Sequence, residues 1–185
     1  MVDYTTLNDL LAFKKWKDAD IETARLMLEI AGKKYYLDSI ALKNFPCDEL
    51  RTIDKFWIDY SKGHFGFSIQ KSIYLLKGNR LDDSLDALKY FNEFANAVGW
   101  RDARLAEKQP KVTLQTPITE TIKMEEDLWL RYNQINFSLD SPPGHLPAVH
   151  GILQETENFW RIPSMASSLR WNRINLYTRL ESCDL

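Results

Sequence analysis

Phe45-Pro46-Cys47-Asp48-Glu49-Leu50-Arg51-Thr52-Ile53-Asp54-Lys55-Phe56-Trp57, followed closely by Ser61-Lys62-Gly63-His64-Phe65-Gly66-Phe67-Ser68-Ile69-Gln70-Lys71, decides the fold of this chain. Leu50, Ile53, Phe56, Trp57 and Tyr60 recur at helical spacing, with Asp48 and Glu49 at the end where the helix dipole favours negative charge. This predicts a helix over 47–61, ended by Gly63. Gly66 then permits a second tight passage before another helix over 67–76, stopped by Gly78.

The same grammar extends in both directions. Leu7, Leu10, Leu11 and Trp16 mark a first amphipathic helix from about Thr6. A second helix follows over 18–32, with Asp18 or Asp20 as N-cap, Ala24, Met27, Leu28 and Ala31 as its apolar stripe, and Gly32 as its stop. Towards the C-terminus a helix is expected over 82–97, with Leu85, Leu88, Phe91 and Phe94 inward and Gly99 at its end. A last helix follows Pro163, marked by Leu169, Leu176 and Leu180. Residues 129–139 alternate only partly and suit a short strand or extended segment, and a lone strand makes no sheet. The fold class is therefore mainly α, as a single domain over 1–185. Residues 102–126 break the pattern: charged, Thr-rich and punctuated by Pro110 and Pro117, they read as a flexible excursion.

Composition narrows the function. A net charge of −2 argues against a nucleic-acid partner. No apolar run approaches the roughly 20 residues of a membrane span, which leaves peripheral membrane association open. Cys47 and Cys183 are distant in sequence and form no Cys-x-x-Cys pair, so the expectation is a reduced intracellular setting with both thiols packed as small apolar groups. Six Trp, eight Tyr and nine Phe serve either an aromatic core or the walls of a pocket for a large flat ligand.

Catalytic patterns are missing from the sequence. His64, His145 and His150 are the only histidines, and His145 and His150 are spaced unlike any established ligand pair. No Gly-x-Ser-x-Gly, phosphate-binding glycine loop or His-Glu-x-x-His occurs, so the chain is expected not to be an enzyme. The segment Asp127-Leu128-Trp129-Leu130-Arg131-Tyr132 offers two rings three residues apart and, between them, an arginine able to pair bidentately with a carboxylate. The same Trp129 could equally anchor the excursion to the core.

Several motifs in order now identify a resemblance. These are Trp16-Lys17-Asp18-Ala19-Asp20 with Thr23, the two opening stretches, Val98-Gly99-Trp100-Arg101 and Gly144-His145-Leu146-Pro147. Together they resemble the genomes-uncoupled tetrapyrrole-binding family, most clearly from residue 4 to about 147. The resemblance implies a helical fold like a cupped hand, with a greasy concave palm and mobile loops. It implies a bound porphyrin such as protoporphyrin IX or its magnesium complex, and activation of magnesium chelatase through its large porphyrin-binding subunit. It places the chain in a cyanobacterial cytoplasm or a plastid stroma. The ligand-binding residues it points to are Trp129, Arg131, Tyr132, Phe67, His145, Leu146, Pro147, His150 and Leu153. Tyr132 stands where chelatase-regulating members carry a second loop tryptophan.

Departures matter as much. In those members an Asn and two Arg follow the Gly-His-Leu-Pro motif at three-residue spacing, whereas here the positions hold His150, Leu153 and Thr156. Losing each charge-assisted contact removes roughly 1.5–3 kcal/mol, unless Arg161, Arg170 or Arg173 substitutes. The alternative is a divergent module that senses another cyclic or linear tetrapyrrole (a bilin), or that binds only a protein.

Overall fold

The computed structural model describes residues 2–81, 87–102, 128–148 and 163–185, with 104, 108, 113, 116 and 117 as isolated positions. Side chains are described from 90 onward in the sixth helix and from 173 onward in the last. Among the described residues the regular structure is helical: α1 (Thr5–Ala12), α2 (Trp16–Ile30), α3 (Ser39–Lys43), α4 (Cys47–Ser61), α5 (Phe67–Leu76), α6 (Ala87–Ala97) and α7 (Pro163–Ser182), with one 3-10 turn (Tyr132–Gln134). The mainly α expectation is therefore met, and α4 and α5 coincide with the two helices read from the opening stretch.

Helix ends follow backbone chemistry. Gly32 takes φ +62° after α2, and its N–H and that of Lys33 bond to the carbonyls of Glu29 and Leu28. Lys62 and Gly63 terminate α4 with positive φ, the Gly63 N–H closing on Ile58 O at 2.8 Å. The expected N-caps of α2 are corrected: the helix begins at Trp16, no side chain caps it, and Asp20 is fully buried. Aligning Trp16, Asp20, Thr23 and Met27 on one face turns that carboxylate inward with the apolar stripe. The short α3, capped by Asp38 through the Ala41 N–H at 2.8 Å, had no sequence reading, being barely more than one turn.

Two aromatic clusters form the core. Trp16 stacks on Trp57 with ring centroids 6.0 Å apart, Phe65 meets both edge-on, and the Trp57 indole N–H donates to the Thr23 hydroxyl at 3.0 Å. Phe94 packs between Tyr74, Trp100 and Tyr177, joining α5, α6 and α7. Residues 173–177 of α7 are buried consecutively, as for a helix covered on all sides, and α7 packs against α3, α4 and α5.

The cysteine expectation is overturned. Cys47, the first residue of α4, is bonded to Cys183, just beyond α7, with Cα atoms 5.4 Å apart. A separation of 136 residues carries no pairing signal in sequence; the packing of α7 against α3 and α4 brings the sulfurs together. Arg51 and Arg179 reinforce the junction by donating to the carbonyls of Cys183 and Phe45, both at 2.7 Å.

The segment expected to be extended meets Arg101 in one antiparallel bridge at Trp129 before entering the 3-10 turn. Asp102 N–H donates to Leu128 O and Leu130 N–H to Trp100 O, so the two ends of the excursion lie side by side. Most of the excursion itself, 102–126, lies outside the described residues.

Candidate functional site

The bridge at Trp129 presents the first part of the candidate site. Its indole stacks on Phe91 of α6 at 5.8 Å, and the Arg101 guanidinium sits 5.6 Å from the ring centroid. Trp129 is 9% exposed and packs into the core, so it anchors the loop. Arg131 is exposed, and its N–H is held by the Gln134 side chain at 2.8 Å, which closes the 3-10 turn. Tyr132 is half-buried, meets Phe137 edge-on at 5.3 Å, and donates its hydroxyl to Asp20 Oδ2 at 3.0 Å.

The Gly-His-Leu-Pro turn forms the second part, and the fold binds nearly every polar group in it. Gly144 N–H donates to His64 O at 2.8 Å, and the Trp100 indole N–H donates to His145 O at 2.9 Å. Gly66 N–H donates to Leu146 O at 3.1 Å, and the Gln70 amide donates to Pro147 O at 2.9 Å. The Leu146–Pro147 peptide is cis. Ala148 N–H donates to Asp20 Oδ1 at 2.6 Å. Loops α4–α5 and 98–100, helix α5 and helix α2 thus hold one turn from different sides.

His145 has both nitrogens engaged. Asn136 N–H points at Nε2 from 3.2 Å, so Nε2 accepts, Nδ1 carries the proton, and Nδ1–H donates to Val98 O at 2.6 Å. Burial lowers its pKa, holding the imidazole neutral. The His64 ring bonds Ser141 O through Nε2 at 2.7 Å. No cluster of metal-ligating side chains occurs among the described residues.

Asp20 joins the two parts, and sequence reasoning missed it. Burial pushes its carboxyl up to about 7, against the pull of the Ala148 N–H, the Tyr132 O–H and the charge of Arg173. The stabilising contribution of this raised group is fully present below its ordinary value of 3.8 and is lost as pH rises through about 7. The signal was available: stepping back one helical repeat from Ala24 and Met27 lands on Asp20, a carboxylate inside an apolar stripe.

The other residues singled out from sequence have definite places. Phe67 and Leu146 are wholly buried, and His145 and Pro147 also lie inside. These four and Trp129 shape the support beneath the surface, whereas Arg131 and Tyr132 reach it. Arg173 does not supply a rim cation: it is 1% exposed, donates to Gln70 Oε1 at 2.6 Å and lies 4.7 Å from the Trp100 ring centroid. His150, Leu153, Thr156, Arg161 and the side chain of Arg170 lie outside the described residues.

Gly144 shows how tightly the turn is set. Its φ is +73°, and a Cβ there falls 2.9 Å from Ile73 Cδ1 and 3.4 Å from Val98 Cγ1. Gly144→Ala is expected to lower stability by about 2 kcal/mol, which urea denaturation reads directly as a lower midpoint.

Partly buried Leu130, Tyr132 and Phe137 beside exposed Arg131 suit a flat apolar ligand with carboxylates on its edge. No described helix is long and apolar enough to cross a membrane.

Comparison with known proteins agrees with the helical fold. Residues 1–162 match the family described as GUN4-like. The chain is similar to the "Ycf53-like protein" of Synechocystis sp., 24% identical over 168 residues, 88% of this chain and 58% of that protein. It is also similar to the "Tetrapyrrole-binding protein, chloroplastic" of Arabidopsis thaliana, 34% identical over 76 residues, 39% of this chain and 29% of that protein. The chain therefore spans little more than half of the first relative and under a third of the second. Ligand-free Arabidopsis thaliana GUN4 matches with a TM-score of 0.60 at 20% identity, covering 95% of both chains. GUN4 from Chlamydomonas reinhardtii matches with 0.53 at 24%, covering 82% and 84%. At such identities the structural likeness establishes the fold.

Proposed function

The chain belongs to the GUN4-like family, and from that premise we propose that it binds a porphyrin without transforming it and presents it to magnesium chelatase. The carrying observation is the 129–132 segment. Trp129 is braced by Phe91 and Arg101, Arg131 is exposed, and Tyr132 is fixed by Asp20. Stacking area on anchored rings with one nearby cation is what a disc bearing propionates requires. The name of the Arabidopsis relative supports the ligand class. Protoporphyrin IX or its magnesium complex is the proposed cargo, the large porphyrin-binding subunit of the chelatase the proposed recipient, and a cyanobacterial cytoplasm or plastid stroma the proposed setting. A carrier rather than a catalyst is favoured because the geometry commits both nitrogens of His145 to the backbone.

Titration with deuteroporphyrin IX and its magnesium complex, followed by tryptophan fluorescence, tests this reading. Saturable binding is expected, with Trp129→Ala weakening it about tenfold or more through loss of the ring that anchors the 129–132 segment. No saturable quenching by either porphyrin sinks the ligand assignment, and binding without chelatase stimulation sinks the recipient alone. The latter outcome supports the divergent tetrapyrrole or bilin sensor, the reading favoured by Arg173 being locked in the core instead of standing at the rim.

A further inference from the structure

Resting on the porphyrin-binding reading, we propose that Asp20 is the positioning residue of the binding face. Its carboxylate fixes Tyr132 from one side and Ala148 from the other, so that ligand affinity follows its ionisation. Three separate pieces of chain meet at this one group. It comes from α2, Tyr132 from the 3-10 turn, and Ala148 from the end of the Gly-His-Leu-Pro turn. The contacts divide between the oxygens, Ala148 N–H on Oδ1 at 2.6 Å and Tyr132 O–H on Oδ2 at 3.0 Å. Both partners are donors, so the ionised carboxylate satisfies both with charge-assisted bonds, which are about twice as strong as neutral ones. Protonation removes the charge; the Tyr132 hydroxyl then turns to accept from the carboxyl proton, and both ties become the weaker neutral kind.

The effect reaches the binding face directly. Tyr132 lies one residue from exposed Arg131 and three from Trp129, and its ring is half-buried between Asp20 and Phe137. With a charge-assisted bond on its hydroxyl the ring is held in one orientation; the weaker neutral bond holds it, and the 3-10 turn, less firmly. At the other oxygen, Ala148 ends the turn that Gln70, Gly66 and Trp100 fasten, and the Asp20 bond is the last tie in that series. The charged and titratable groups facing Asp20 are Tyr132 from the 3-10 turn and Arg173 from α7, while Asp18 on its own helix acts on Tyr132. Arg173 favours the ionised form, burial opposes it, and the balance places the transition at about 7. Tyr132 is driven upward by burial and by the Asp20 charge, so it remains a hydroxyl donor throughout.

The test follows deuteroporphyrin IX affinity between about pH 6 and pH 8 in the wild type, Asp20→Asn and Tyr132→Phe. Propionate titration affects every variant alike, so the wild-type profile is read relative to Asp20→Asn. On that scale affinity is expected to rise about tenfold with pH. Removing one donor makes ionisation harder, so Tyr132→Phe is expected to move the midpoint upward by about one unit. Hydrogen exchange of peptides covering 128–148, corrected for intrinsic rates, is followed in parallel without ligand. Protection is expected to weaken as pH rises towards 7 in the wild type, because the buried carboxyl gains charge there, and to stay level in Asp20→Asn. Identical pH profiles of affinity and protection in wild type and Asp20→Asn overturn the proposal. Where Asp20→Asn does not fold, an unshifted Tyr132→Phe midpoint overturns it. If no protein binds porphyrin, but wild-type protection still follows pH and that of Asp20→Asn does not, the ligand assignment falls while the role of Asp20 stands.

Discussion

Reducing the Cys47–Cys183 disulfide is expected to lower stability by about 4–5 kcal/mol and the melting temperature by about 10–20 °C. The bond closes a loop of 136 residues, nearly three quarters of the chain, so its loss releases a large amount of denatured-state freedom. The native side matters too. Cys183 is buried at the end of α7, and Cys47 opens α4, so the bond pins the C-terminal turn of one helix to the N-terminal turn of another. Arg51, Arg179 and the Lys71–Glu181 pair hold the same corner without the sulfurs. The reduced protein is therefore expected to stay folded at room temperature, but to expose the residues around Cys183 to exchange. Parallel melts with and without a dithiol reductant measure the effect, with Cys183→Ser as a variant that reductant leaves unchanged. A wild-type melt indifferent to reductant refutes the expectation.

That bond also shows where sequence reasoning stops. Helix α4 was legible to the residue because Leu50, Ile53 and Trp57 mark a single buried stripe and Gly63, just after the left-handed Lys62, also takes positive φ where the helix ends. Helix α5 was legible for the same reasons, between Gly66 and Gly78. Contacts between distant segments were not, since periodicity reports only which way a side chain faces. Asp20 was read as a cap because carboxylates near helix starts usually are; its partners Tyr132 and Ala148 lie more than a hundred residues away. The ordered motifs identified the family, yet most of their residues build the fold. Trp16, Thr23, Trp57, Trp100 and His145 all spend their polar atoms or ring faces on core neighbours. Such motifs therefore speak for a helical scaffold more directly than for a particular ligand. The segment they support, Trp129 to Tyr132, carries a tyrosine where the resemblance leads one to expect a second tryptophan. His150, Leu153 and Thr156, where the resemblance leads one to expect an Asn and two Arg, lie outside the described residues.

Gln70 is where that scaffold is most vulnerable, and Gln70→Leu is expected to cost about 3–4 kcal/mol. The side chain is fully buried on α5 and uses both ends of its amide. Its nitrogen donates to Pro147 O at 2.9 Å, while its oxygen accepts from Arg173 at 2.6 Å and from the Tyr177 hydroxyl at 3.4 Å. Leucine nearly preserves the volume, so packing changes little and the loss is polar. The Pro147 carbonyl loses this donor, and a buried guanidinium loses a short acceptor, which is worth more than a bond between neutral groups. Gln70→Glu separates the two ends. A carboxylate keeps, and strengthens, the Arg173 and Tyr177 side, but turns an acceptor towards Pro147 O. If the α7 side dominates, the glutamate variant loses less stability than the leucine variant in urea denaturation. If the turn dominates, both fall alike. A change below about 1 kcal/mol for Gln70→Leu refutes the network's importance. Loss at Pro147 also passes to the next residue, Ala148, whose amide is held by Asp20. Gln70→Leu is therefore expected to weaken porphyrin binding with no contact to the ligand, because the turn it fastens is the one that fixes the binding face.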